Sequence, residues 1–127
     1  MKKIILITGL FFLTSAVFHL QAQSINNKNW KAWLDAPISD SVTFHIQSDS
    51  SFVTNSNGDV VIRIRCAVTA DTFTIVNQEA EEHGCPDQKG KYKINAKDDQ
   101  LILTVIDDAC EGRSRALNNV KWTEVTK

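Results

Sequence analysis

The chain has 127 residues, 43% of them hydrophobic and 23% charged, with three Cys and two Pro. Fourteen basic side chains stand against fifteen acidic ones, a net charge of −1. This balance excludes a strongly basic nucleic-acid binder, and the hydrophobic share excludes a disordered chain.

Met1-Lys2-Lys3 is a short basic head. Residues 4–18 form an apolar run broken only by Thr8, Gly9, Thr14 and Ser15, and Leu20-Gln21-Ala22 offers a small residue for cleavage. Together they read as an export signal over residues 1–22. Such a run covers about 22 Å as a helix, short of a hydrocarbon core of roughly 30 Å, so no membrane anchor is expected. The first Cys is Cys66, which argues against lipid attachment at a mature N-terminal Cys. Loss of Lys2 and Lys3 leaves twelve basic against fifteen acidic groups, or −3. The expected product is a single exported domain, periplasmic or secreted, soluble and monomeric. Its roughly 105 residues suffice for one modest core.

Residues 23–40 read as an N-terminal arm. Its polar lead-in runs from Ser24 to Asn29. Asn29-Trp30-Lys31-Ala32-Trp33-Leu34 follows as one helical turn or a first strand, stopped by Pro37. On a helix, Trp30 and Trp33 share a face. Residues 41–127 read as a β-barrel domain. Val42, Phe44 and Ile46 alternate with polar residues, and Ser51–Thr54 is a short second run. Asn57-Gly58 is a hairpin signal of the type I′ kind. Val60, Ile62, Ile64, Cys66 and Val68 share one face of a long strand, with Arg63 and Arg65 on the other. Phe73 and Ile75 continue after a turn at Ala70-Asp71. Glu79–Gly84 is a polar loop. Tyr92, Ile94 and Ala96 alternate with Lys91, Lys93 and Asn95. Leu101, Leu103 and Val105 follow the Asp98-Asp99 turn. Arg113–Leu117 and Val120–Val125 are the last two strand candidates.

About eight short strands with regular turns describe an antiparallel up-and-down meander, apolar on one face. Closing it into a small all-β barrel removes its edges.

Three Cys in an oxidising compartment leave one over. Cys85 and Cys110 both lie outside strands and are expected to form a disulfide. Cys66 reads as a buried free thiol. Neither Cys-x-x-Cys nor another ligand spacing appears around His83, so no metal is expected. A Cys85–His83 nucleophile would require a reduced thiolate. Gly-x-Ser-x-Gly and phosphate-cradling glycine loops are absent from the sequence. His45 falls on a polar strand face, and Glu79, Glu81 and Glu82 read as solvated. Asn55, Asn57 and Asp59 fit turn chemistry better than a calcium loop. No catalytic residue, no enzyme activity and no cofactor are expected.

The most specific stretch runs Cys85-Pro86, Gly90-Lys91-Tyr92, Leu101-Ile102-Leu103, Asp107-Asp108-Ala109-Cys110-Glu111-Gly112-Arg113, Leu117 and Trp122. It resembles small secreted lipocalin-like domains of the calycin type. The Gln-Ala-Gln cleavage flank resembles exported proteins of Bacteroidetes. The resemblance implies a lipocalin-like barrel with structural roles for Trp30, Trp33, Asp107, Asp108, Arg113 and Trp122. It also implies that Arg113 stacks on Trp30 or Trp33; the residues themselves equally allow Arg113 to pair with Asp107 or Asp108.

The function expected is non-catalytic binding of a small hydrophobic ligand, with Phe44, Phe52, Phe73 and Tyr92 lining the barrel. The alternative is a protein–protein module, such as an exported protease inhibitor or envelope adaptor. It would use the Ser24–Asn29 arm and the Glu79–Gly84 loop. Neither nucleic acid nor membrane is an expected partner. A cavity of about 300 Å³ or more favours the carrier, and a filled interior favours the protein partner.

Overall fold

Period-two patterning governs the chain from residue 28 onward, and it closes on itself. The computed structural model describes residues 24–35, 39–69, 71–80 and 85–126. The expected export signal over residues 1–22 lies outside them, as do Pro37, Glu81, Glu82 and His83. The described residues form β1 (Lys28–Leu34), β2 (Asp40–Ile46), β3 (Ser50–Thr54), β4 (Val60–Val68) and β5 (Thr72–Ala80). They continue with β6 (Gly90–Lys97), β7 (Gln100–Asp108), α1 (Glu111–Leu117) and β8 (Lys121–Glu124). The strands join in sequence order into a closed antiparallel barrel, the eighth pairing back with the first.

β1 is a full stave of this barrel, paired with β2 over its whole length. The barrel therefore takes in residues 28–34, which the sequence pattern assigns to an arm. As a strand, β1 sends Trp30 inward and Trp33 outward, 0% and 60% exposed, so the two do not share a face. Ahead of β1, Ile25 is buried and joins the core cluster. At the opposite end Leu117 of α1 does the same.

Two local expectations fail for identifiable reasons. Arg113–Leu117 reads as a strand, but Ser114 N–H bonds Cys110 C=O at 2.9 Å and Asn118 N–H bonds Ser114 C=O at 2.9 Å, the helical spacing. In so short a window the apolar pattern suits both periods. Burial of Arg113 and Leu117, four apart, and an exposed Glu111–Arg115 pair decide for the helix. The Asn57-Gly58 hairpin forms, but not as type I′, which needs positive φ at both residues. Only Gly58 has it, at 89°. Asn55 Oδ1 instead accepts from the backbone N–H of Asn57 at 3.0 Å and of Asp59 at 2.9 Å, and this side-chain brace sets a longer turn.

The interior is built from large rings. Trp30, Phe44, Phe73 and Tyr92 are 0% exposed and Trp122 is 1% exposed. Phe44 meets Phe73 edge-on at 5.8 Å and Trp122 at 5.5 Å between ring centroids. Each such pair contributes about 0.5–1.5 kcal/mol beyond its area.

Candidate functional site

Among the described residues three register shifts interrupt the ladders, and one of them builds the most polar part of the core. Along β7, Leu101 and Leu103 point inward and Val105 continues the series. By strict alternation Asp107 would follow them. Between β6 and β7 the register slips instead: Tyr92 pairs with Val105 but Lys91 with Asp107, so Ile106 is the extra residue. Ile106 is pushed into solvent, and parity reverses so that Asp108 enters the barrel.

The Asp108 carboxylate accepts four hydrogen bonds there. Arg113 Nε donates to Oδ2 at 2.7 Å and Arg113 Nη2 to Oδ1 at 2.6 Å, a bidentate fork. Cys110 N–H donates to Oδ1 at 2.8 Å, and the Tyr92 hydroxyl donates to Oδ2. Arg113 Nη2 also donates to the Gln88 carbonyl at 2.8 Å, tying α1 to the segment before β6. The Arg113 and Asp108 side chains are 2% and 0% exposed. Burial opposes ionisation of Asp108, but Arg113, Tyr92 and the Cys110 amide overcome it and hold the carboxyl below the usual range. Burial, and then the bond to Asp108, push the Tyr92 phenol far above its ordinary value.

Gly90 completes the arrangement. A Cβ there would lie 2.5 Å from Asp108 Oδ2 and 2.9 Å from Arg113 Nη2. A Gly at a strand entry commonly supplies backbone freedom. The structure gives a different reason: the carboxylate occupies the space of a side chain. The Cys85–Cys110 disulfide closes the same corner, with Cα atoms 6.1 Å apart.

The expected site residues separate into groups. Phe44, Phe73 and Tyr92 face inward. Phe52 lies on the outer face, stacked on His45 at 4.4 Å with 11° between planes. Its neighbours Ser51 and Val53 take the inward positions of β3. Of the two readings for Arg113, pairing with Asp108 is realised; Asp107 is exposed. The cation over Trp30 is Lys28, 5.8 Å from the ring centroid. Cys66 is free and buried, its sulfur 3.1 Å from Ser51 Oγ.

Sequence reasoning missed Gln88, which acts through its carbonyl and leaves no side-chain signal. It also missed the bracing of His45, whose Nδ1 sits 2.8 Å from Asn29 Oδ1 and Nε2 3.0 Å from Thr54 Oγ1. Trp30 Nε1 and Trp122 Nε1 are buried and find no hydrogen-bond partner among the described residues. Among those residues no group of three or more His, Cys, Asp or Glu is placed to hold a metal, and no helix is long and apolar enough to cross a membrane.

The polar cluster is closed on itself. Every donor and acceptor described in it points at another member, so it can hold two segments together but offers no described atom to a substrate. Compared with known proteins, the chain matches no family model, no curated protein and no solved structure.

Proposed function

We propose that this protein is an exported, non-catalytic binding module of lipocalin-like build that engages a macromolecule with its outer wall. The observation that carries this reading is that three of the four residues expected to line a cavity are packed into the core. A side chain with no accessible surface borders neither solvent nor a void of water size. Phe44, Phe73 and Tyr92, the expected lining, are in that state. A carrier holds its ligand in a cavity of about 300 Å³ or more. The disulfide is compatible with an oxidising compartment. The self-contained Asp108 cluster supports a role without chemistry.

One observation favours a second reading. The indole N–H groups of Trp30 and Trp122 are buried without partners among the described residues, each at a cost of about 1–3 kcal/mol. An apolar ligand carrying an acceptor oxygen would satisfy such a donor once the barrel opened to admit it. Titration with a fluorescent fatty-acid probe separates the two. The outer-wall reading expects no saturable binding. Saturable binding that a plain fatty acid competes away would overturn it in favour of the carrier.

A further inference from the structure

We infer that Asn57-Gly58 is a self-modifying site: Asn57 loses its side-chain amide through a cyclic imide, and the isoaspartate that results unfastens the β3–β4 turn. This chemistry goes beyond the outer-wall reading and does not depend on it.

The chain holds one Asn followed by Gly. Cyclisation needs the next residue's backbone nitrogen to reach the Asn side-chain carbon. Every other Asn is followed by a residue whose side chain shields that nitrogen. Gly58 has none, and a Cβ placed on it would meet no atom within 4 Å, so nothing packs over this peptide. Asn57 and Gly58 are both exposed, and the Asn57 side chain bonds nothing among the described residues. Other asparagines are occupied. Asn29 Oδ1 meets His45, Asn55 Oδ1 takes two backbone amides, Asn118 Oδ1 takes Val105 N–H and Asn119 Oδ1 takes the Thr104 hydroxyl. What restrains the reaction is one bond on an exposed turn, from Gly58 N–H to the Asn55 carbonyl at 3.1 Å. Such a bond favours the closed turn by about tenfold or less.

Water is the only co-reactant. Gly58 N–H gives its proton to hydroxide, and the nitrogen attacks Asn57 Cγ. The Cγ–Nδ2 bond breaks, and ammonia leaves with a proton taken from water. Water then opens the ring at either carbonyl. One opening leaves an aspartate at position 57. The other leaves an isoaspartate, whose backbone runs through the former side chain and is longer by a carbon.

That carbon falls inside the brace of the turn. Asn55 Oδ1 accepts from Asn57 N–H at 3.0 Å, ahead of the insertion, and from Asp59 N–H at 2.9 Å, beyond it. The ladder closes over the same span, Asn55 N–H donating to Asp59 C=O at 2.9 Å. The new carboxylate joins a turn that already holds Asp59 and, through Ser56 N–H at 3.1 Å and Ser56 Oγ–H at 2.9 Å, Asp40. The pairing of β3 with β4 is already irregular beside it, at Val53 and Thr54.

The test ages the intact protein in mildly alkaline buffer and reads each asparagine by peptide mapping, which separates isoaspartate from aspartate. Conversion is expected at position 57 ahead of every other asparagine, with isoaspartate in excess, at a rate within about tenfold of that in the urea-unfolded chain. The aged form, isolated by ion exchange, is expected to unfold at lower urea and to be cut within residues 55–59 by a protease that spares fresh protein. Asn57→Gln keeps an amide but demands a larger ring, and is expected to age without either change. Conversion of another asparagine first, or a position 57 that stays amidated while the unfolded chain converts, would overturn the inference. So would an isoaspartyl form that matches fresh protein in urea midpoint and protease resistance.

Discussion

Replacement of Gly90 by Ala should be costly in a way that strand propensity does not foresee. Gly in a strand interior normally costs roughly 0.5–1 kcal/mol relative to Ala, so Gly90→Ala would ordinarily stabilise. Here the new methyl would sit 2.5 Å from Asp108 Oδ2 and 2.8 Å from its Cγ. A carboxylate tip can often swing aside, but this one is pinned by four hydrogen bonds and has no exposed surface. Overpacking costs about 1–3 kcal/mol, and a buried pair that loses its geometry costs up to about 3–5. We expect a net loss of about 3 kcal/mol, a large part of the 5–15 kcal/mol typical of a domain. In urea, with a slope of about 2 kcal/mol per molar, the midpoint should fall by about 1.5 M. Asp108→Ala should cost several kcal/mol by itself because it strands Arg113, but it also vacates the space. Gly90→Ala in that background should therefore cost about 1 kcal/mol or less, the remaining close contact being the freed Arg113 Nη2, a coupling of about 2–3 kcal/mol. A Gly90→Ala protein as stable as its parent, or full additivity in the double variant, would refute the reasoning.

Tyr92 is the sole tyrosine, so ultraviolet titration reads one group. Burial and its bond to Asp108 raise its pKa in the folded state, so the associated stability is complete below about pH 10 and drains away as pH climbs beyond it. Tyrosinate absorbance should appear only together with unfolding; a folded protein titrating near pH 10 would contradict this. Replacing Cys85 and Cys110 together by Ala should cost about 3.5 kcal/mol for a loop of 25 residues, measured by denaturant unfolding. Cys66 is buried and its thiol is pushed up by desolvation, so a thiol reagent should leave the native protein untouched and modify one group after unfolding. Rapid labelling of the native chain would show that β4 opens.

The barrel was legible because period two persists across β2, β4, β6 and β7, where one buried face leaves little freedom of register. The disulfide was legible because Cys85 and Cys110 fall outside strands while Cys66 falls within one. What escaped was each place where alternation breaks. The slip at Ile106 decides that Asp108 rather than Asp107 meets Arg113, and two adjacent aspartates carry no mark of which one turns inward. Phe52 looked like lining because aromatics are usually core, yet its strand is short and Ser51 and Val53 hold the inward parity. Trp30 and Trp33 were ambiguous because a spacing of three suits a helix as well as the opposite faces of a strand. The helix α1 hid in a segment too short for periodicity to discriminate.

Cys85–Cys110 and the Arg113–Gln88 contact span the same stretch of chain, each joining residues 25 apart. Once the covalent link exists, Arg113 searches for the Gln88 carbonyl across a ring of only a few residues on each side, so nearly all of its closure entropy has already been met. The two fastenings are therefore not independent reserves of stability. Reduction removes the tether that keeps Arg113 close to the Gln88 carbonyl, so part of the loss on reduction is expressed through that hydrogen bond.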